Sequence, residues 1–190
     1  MSESASESFK GSPKRTVVYG PEEVENALTG MAADILRRKE DPPVLVGIRR
    51  GGVRVAERLG ELVHASTGKA PLTATVDINF YRDDWTRARS FPEIGPTRIL
   101  FSLEGKRVIL VDDVLYTGRT VRAALDALTE FGRPAGVELA VLVDRGHRQM
   151  PVKADYAPFA FATDFSEIVE VSFNGPERLG EVVLISPKSL

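Results

Sequence analysis

The chain has no cysteine, two histidines and one tryptophan among its 190 residues. Without thiols there is no disulfide scaffold, no cysteine nucleophile and no cysteine-ligated zinc. His64 and His147 stand far apart in sequence, which argues against a histidine metal site. No apolar run approaches the ~18 residues of a membrane helix, and the N-terminus lacks the basic-then-apolar order of a signal peptide. The expected location is therefore the cytoplasm, with no membrane partner. An excess of one charge is also missing. Twenty-five Lys plus Arg face 27 Asp plus Glu, a net of −2, which excludes a generally basic nucleic-acid binder but leaves room for a local basic face. What is present is ordinary: 43% hydrophobic and 27% charged residues, too apolar for a disordered chain. At roughly 150 residues per domain, one compact domain is expected.

Residues 1–14 hold five serines and no aliphatic cluster, so they read as a disordered N-terminal tail ahead of a single domain over 15–190. From Pro21, Val24, Ala27, Leu28, Met31, Ala32, Ile35 and Leu36 recur at helical spacing, and Asp41-Pro42-Pro43 ends the segment. Val44 to Ile48 is a short continuous apolar run, as in a strand buried on both faces. Arg49-Arg50-Gly51-Gly52 is a turn, and Val53, Ala56, Leu59 and Val63 mark a second amphipathic helix. Thr73 to Phe80 alternates like a strand. Residues 81–97, with six charges and two prolines, form a polar stretch too long for a mere connector and read as a flexible functional loop. A weak strand is expected over Arg98 to Phe101 and a firm one over Val108 to Val111. A helix with Val121, Ala124, Leu125, Leu128 and Phe131 inward follows, then a strand over Leu139 to Val143. Strands of this buried kind alternating with helices predict an α/β fold: an open, mainly parallel twisted sheet with helices on both faces. Ligands in such sheets sit at the carboxyl ends of the strands, where loops 49–52 and 112–120 both fall. No G-x-G-x-x-G follows any strand, which removes a dinucleotide-binding dehydrogenase.

Val108 to Thr120, VILVDDVLYTGRT, carries the strongest chemistry. A buried strand delivers Asp112 and Asp113 to its exit, and a loop of Val114, Leu115, Tyr116, Thr117, Gly118, Arg119 and Thr120 runs into a helix. Gly118 permits close backbone approach, Thr117 and Thr120 offer hydroxyls, and the helix N-terminus favours a phosphate. The carboxylates suit sugar hydroxyls or a metal brought by the ligand. A lone Thr-Gly pair would be a helix cap and a turn; two aspartates directly after a buried strand point to a ligand loop.

That segment resembles the 5-phosphoribosyl-1-pyrophosphate (PRPP) signature of the type I phosphoribosyltransferases. The longer run VILVDDVLYTGRTVRAALDAL, with GRP at 132–134 and LAVLVDRGHRQMPVKADY at 139–156, is similar to the pyrimidine operon regulator/uracil phosphoribosyltransferase family, as are Asp77, Ile78 and Tyr81-Arg82-Asp83-Asp84. The likeness covers roughly residues 17 to 156. It implies transfer of phosphoribosyl from PRPP to uracil, giving UMP and pyrophosphate, with Mg²⁺ bound alongside PRPP. Asp112 and Asp113 would hold the ribose hydroxyls, residues Thr117 to Thr120 the 5-phosphate, and Arg49, Arg50, Gly51 and Gly52 the pyrophosphate, with Arg82 on a closing loop. The resemblance also implies a homodimer or homotetramer and a leader-RNA partner. Two other readings fit the same PRPP site: an RNA-binding attenuation regulator that senses UMP with little catalysis, and a phosphoribosyltransferase for a purine base.

Three departures bear on the base and the RNA. Ile48-Arg49-Arg50-Gly51-Gly52 stands where the family has I-[KR]-T-R-G. Ala157-Pro158 follows Tyr156 where the family has V-G, so Pro158 brings no N–H to the segment expected to cover the base. Thr29-Gly30-Met31-Ala32-Ala33-Asp34 lacks the basic and imidazole side chains of T-R-I-A-H-E. Arg145, Tyr156, Ala157 and Pro158 are thus the base-binding candidates, and Arg145, His147, Arg148 and Lys153 the RNA-contact candidates. His64, late in its helix, is expected to be a partly buried or surface histidine, and Trp85 to cover a small apolar patch.

Overall fold

In the computed structural model, which describes residues 13–37, 42–78, 97–174 and 178–187, the apolar runs at 44–48, 108–111 and 139–143 lie side by side. A five-stranded sheet runs in the order β3 (Thr73–Val76), β2 (Val44–Ile48), β4 (Arg107–Leu115), β5 (Gly136–Asp144), β6 (Phe159–Ala160). Every neighbouring pair in it is parallel. Both faces are buried, which is why these strands read as continuous apolar runs rather than as alternating ones. Ile109 and Val111 point into one core with Leu45, Ala140 and Leu142, while Val108 and Leu110 point into the other with Val46, Val141 and Leu139.

Helices α1 (Pro21–Leu36) and α2 (Gly51–Thr67) cover the first face through Val24, Leu28, Ile35, Val55, Leu59 and Val63. Helix α3 (Arg119–Leu128) covers the second through Val121, Ala124 and Leu128. All of these but Val55 are periodic positions picked out in the sequence; Val53, expected on the buried face of α2, is only partly buried. The chain turns one way from β2 through α2 to β3 and the other way from β4 through α3 to β5, so the strand order reverses between β2 and β4. A crevice opens at such a reversal, above the carboxyl ends of the two strands.

Several boundaries and one whole layer differ from expectation. Lys14, placed in the tail, opens β1 (Lys14–Tyr19), and residues 1–12 lie outside the described set. Strand β1 pairs antiparallel with β8 (Arg178–Ser186), which pairs with β7 (Ile168–Asn174), making a second, three-stranded sheet. Val169, Val171 and Val182 of this sheet join the core under α1. The strand expected over 73–80 ends at Val76, and the one over 98–101 shrinks to a single antiparallel bridge from Arg98 to Thr75. The loop at 81–97, with Arg82 and Trp85, lies outside the described residues apart from Thr97.

Candidate functional site

The site is assembled by adjacent strand ends. Strand β2 delivers Arg49 and Arg50, both exposed, to the start of α2, and β4 delivers Asp112 and Asp113 next door. The contact between them is close. A Cβ on Gly51 would lie 1.9 Å from Asp113 Oδ2, and one on Gly52 would lie 2.2 Å from the Val111 carbonyl oxygen. Only glycine lets the first turn of α2 approach β4 this far. The Arg49 N–H donates to the Val76 carbonyl at 3.0 Å, and its guanidinium Nε lies 3.9 Å from Oδ2 of the buried Asp77. Two loops far apart in sequence therefore form one wall.

Asp112 is buried, and its carboxylate accepts from the Asp113 N–H at 3.0 Å. Burial, and then the neighbouring Asp113 charge, hold its pKa well above the usual carboxylate range. Asp113 is partly exposed, and its Oδ1 accepts from the Val114 N–H at 2.9 Å. A half-open carboxylate beside a buried one with a raised pKa is a pairing that ligand sites use more often than structural ones do.

Beyond them, Gly118 caps α3 with φ at +88°, and a Cβ there would meet Val152 Cγ2 at 2.5 Å. No side chain caps this helix and its first turn carries no acidic residue, so its leading N–H groups and positive dipole end face the crevice without an anion of the protein's own. That is the electrostatics of a phosphate site. The Thr117 carbonyl accepts from the N–H groups of Gln149 and Met150 at 2.9 and 3.0 Å, which anchors the loop from behind.

The remaining candidates disperse. The Tyr156 hydroxyl donates to Glu138 Oε2 at 2.6 Å and accepts from Arg107 Nη2 at 3.2 Å. Both partners sit near the amino ends of β5 and β4, the end of the sheet opposite the crevice, so the Tyr156 side chain does not face the crevice. The cause is register: Tyr156 bridges to Ala140, and the chain climbs alongside β5 before reaching Phe159 and Ala160. Ala157 and Pro158 lie on that climb. Residues 161–167, unmarked in the sequence reading, are the ones that come to the carboxyl end, where the Phe161 N–H donates to the Asp144 carbonyl at 3.2 Å. The one signal for them was a pair of aromatics, Phe161 and Phe165, in an otherwise small and polar run.

The basic cluster is not one exposed face either. Arg145 is buried, Arg148 donates to the Gly146 carbonyl at 2.9 Å and pairs with Asp144, and Lys153 alone of the four is exposed rather than buried or half-buried. Three of the four side chains are thus at least partly covered by the protein itself.

A parallel sheet whose strand reversal brings paired aspartates, a glycine-start helix and an uncapped second helix together is an α/β protein with a candidate anion-binding crevice at its strand ends. The family described as phosphoribosyl transferase domain matches residues 19–172. Among curated relatives, the "Bifunctional protein PyrR" of Desulfosudis oleivorans is 45% identical over 92% of this chain and 98% of its own length. That of Geobacter sulfurreducens is 46% identical over 89% and 97%. Among solved structures, the hypoxanthine phosphoribosyltransferase of Trypanosoma cruzi superposes with a TM-score of 0.65 at 20% identity, over 91% of this chain and 97% of that one, a likeness of fold. The chain belongs to the phosphoribosyl transferase domain family and, within it, to the family of the bifunctional PyrR proteins.

Proposed function

We propose that this protein transfers the phosphoribosyl group of PRPP to uracil, releasing pyrophosphate and forming UMP, and that it also serves as a pyrimidine-operon regulator. The relatives named above support both halves. The observation that carries the chemistry is the apposition of Gly51 and Gly52 to Asp113 and Val111, because it brings the 49–52 turn and the 112–120 loop, which this reading assigns to the pyrophosphate and to the ribose phosphate, to one crevice.

In this reading the first turn of α3, with Thr117, Gly118, Arg119 and Thr120, holds the 5-phosphate. Asp113, with Asp112 behind it, accepts hydrogen bonds from the ribose hydroxyls. Arg49, Arg50 and the α2 N-terminus hold the pyrophosphate and stabilise the charge that grows on it as the bond to the ribose C1 breaks. The base arrives opposite the leaving group, which puts it on the β5 side of β4, under residues 161–167. Little covalent help is required; the residues orient two reactants and exclude water.

Magnesium suits this donor set as a visitor. Among the described residues no three His, Cys, Asp or Glu groups gather as a metal cage, and magnesium is commonly held by one or two carboxylates together with ligand phosphates and water. Asp112 and Asp113 are the carboxylates within reach. Held there with PRPP, such an ion would supply positive charge to the pyrophosphate.

The test is a radiolabel assay with PRPP, magnesium and a panel of nucleobases. UMP formation well above the product from any purine is expected; turnover with hypoxanthine or guanine alone would reassign the base.

A further inference from the structure

Behind the crevice lies a layer of contacts that the reaction as described leaves unused. Arg145 directly follows β5 and is only 5% exposed, so its charge must be met inside the protein. Its Nε donates to Thr163 Oγ1 at 3.1 Å, and its Nη2 donates to the carbonyls of Asp164 at 3.0 Å and Glu167 at 2.7 Å. Its guanidinium carbon stands 4.2 Å from the centre of the Tyr116 ring. Tyr116 belongs to the loop between Asp113 and Thr117. One side chain therefore holds residues 163–167 with three hydrogen bonds and rests on the phosphate loop with its flat face.

Its neighbours repeat the pattern. His147 has φ at +60°, a region few non-glycine residues occupy, and such strain persists where surrounding contacts fix it. Its Nε2 faces the Thr163 carbonyl at 2.6 Å, and its ring lies 4.1 Å from that of Phe165 and edge-on to Tyr116 at 5.6 Å. On the other side, the Arg145 N–H donates to the Leu115 carbonyl at 3.1 Å. The turn at 145–150 thus clamps the phosphate loop with its backbone and residues 163–167 with its side chains. Phe165 emerges from this clamp 68% exposed, an apolar ring presented to solvent while its backbone is held from below.

We infer that Arg145 is a positioning residue: it touches no substrate, but it holds residues 163–167 and the Phe165 ring against the phosphate loop, so that binding of the base half of the nucleotide depends on it and binding of the phosphate half does not. The inference rests on the proposed phosphoribosyl site. A planar fork that serves three acceptors on one segment and stacks on an aromatic ring of another has no substitute in lysine, whose ammonium is a point charge without the fork. Arg145→Lys keeps the charge and loses the clamp.

The experiment measures PRPP and UMP affinities by titration calorimetry in the wild type, Arg145→Lys and Thr163→Val, together with amide hydrogen exchange. Arg145→Lys is expected to weaken UMP by about tenfold or more, the worth of one charge-assisted hydrogen bond, while PRPP affinity stays within about threefold of wild type. Thr163→Val removes a single acceptor and should give a smaller loss of the same kind in a protein that folds normally. Amides at 163–167 should exchange faster in Arg145→Lys, while those of Gln149 and Met150, which donate to the Thr117 carbonyl of the phosphate loop, keep their protection. Equal losses for PRPP and UMP, or unchanged UMP affinity with unchanged exchange at 163–167, would overturn the inference. If the wild type binds PRPP but not UMP, the uracil assignment fails separately, and hydrogen exchange, which needs no ligand, still decides the role of Arg145.

Discussion

Adding one methyl group at Gly51 or at Gly52 separates the site's architecture from its chemistry. At Gly52 the new carbon would meet the Val111 carbonyl oxygen at 2.2 Å and Asp112 Cα at 2.9 Å. Both are backbone atoms of the central strand, and neither can turn away. Helix α2 must lift off β4, which also disturbs the core packing of Val55 and Leu59 against Leu45 and Ile109. Overpacking of this kind costs ~1–3 kcal/mol, occasionally more, and an unyielding backbone contact puts Gly52→Ala at the upper end. For a chain of this size, where 1 kcal/mol is about 2–4 °C, a melting-temperature loss of roughly 5–12 °C follows. At Gly51 the atoms in the way are the Asp113 carboxylate, with Oδ2 at 1.9 Å and Cγ at 2.2 Å. A side chain can rotate, so Gly51→Ala should melt within about 2–4 °C of wild type, a cost of about 1 kcal/mol. It should nevertheless bind PRPP much more weakly, because the displaced carboxylate no longer points at the ribose. Differential scanning fluorimetry and calorimetric titration with PRPP read the two effects. A Gly52→Ala protein as stable as wild type would refute the close approach, and a Gly51→Ala protein with wild-type PRPP affinity would refute the role of Asp113.

Other expectations use the same site and its supports. Asp113→Asn preserves size and removes an ionic acceptor worth roughly 1.5–3 kcal/mol per bond, so PRPP and UMP affinities should fall about ten- to a hundredfold by calorimetry, with little change in melting temperature. Asp112 has its pKa raised by burial and by Asp113, so the folded state holds a proton that the unfolded state releases near pH 3.9; stability on this account falls as pH rises above that value through the higher folded pKa. Asp112→Asn should therefore flatten the decline of melting temperature between acid and neutral pH, and a parallel decline in both proteins would contradict the assignment. At the amino ends of β4 and β5, away from the crevice, Arg107 Nε meets Glu138 Oε1 at 2.8 Å, the two side chains each 11% exposed; removing one partner of a buried pair costs ~3–5 kcal/mol, so Glu138→Ala should destabilise strongly in chemical denaturation without changing PRPP affinity at a permissive temperature. RNA binding is the last. With Arg145 buried and Arg148 paired to Asp144, a face confined to the 145–153 segment gives a log–log salt slope no steeper than about −2 at roughly −0.7 per phosphate. A steeper slope in filter binding to a pyrimidine leader RNA would locate the RNA face elsewhere.

The parallel sheet was legible in the sequence because its strands are buried on both sides and need no partner's identity to announce themselves: Val44–Ile48, Val108–Val111 and Leu139–Val143 are apolar without interruption. Helices α1, α2 and α3 were legible through 3.6-residue periodicity, and the Asp112-to-Thr120 run because aspartates, a turn and a helix start appear there consecutively. All of this is local information.

The remainder depended on partners distant in the chain. Strand β1 is half-exposed, with Val17 open to solvent, and no pattern in residues 14–19 names β8 as its neighbour; only the folded core, with Val182 and Val171 beneath α1, selects that pairing. Tyr156 and Arg145 carry the side chains that a base or an RNA would use, and residue type alone could not tell where they point. Register with Ala140 sends the Tyr156 hydroxyl to Arg107 and Glu138, and burial behind residues 163–167 sends the Arg145 guanidinium inward. A charged or polar group in a folded chain goes where its hydrogen bonds can be satisfied, and those acceptors exist only once the strands are in place.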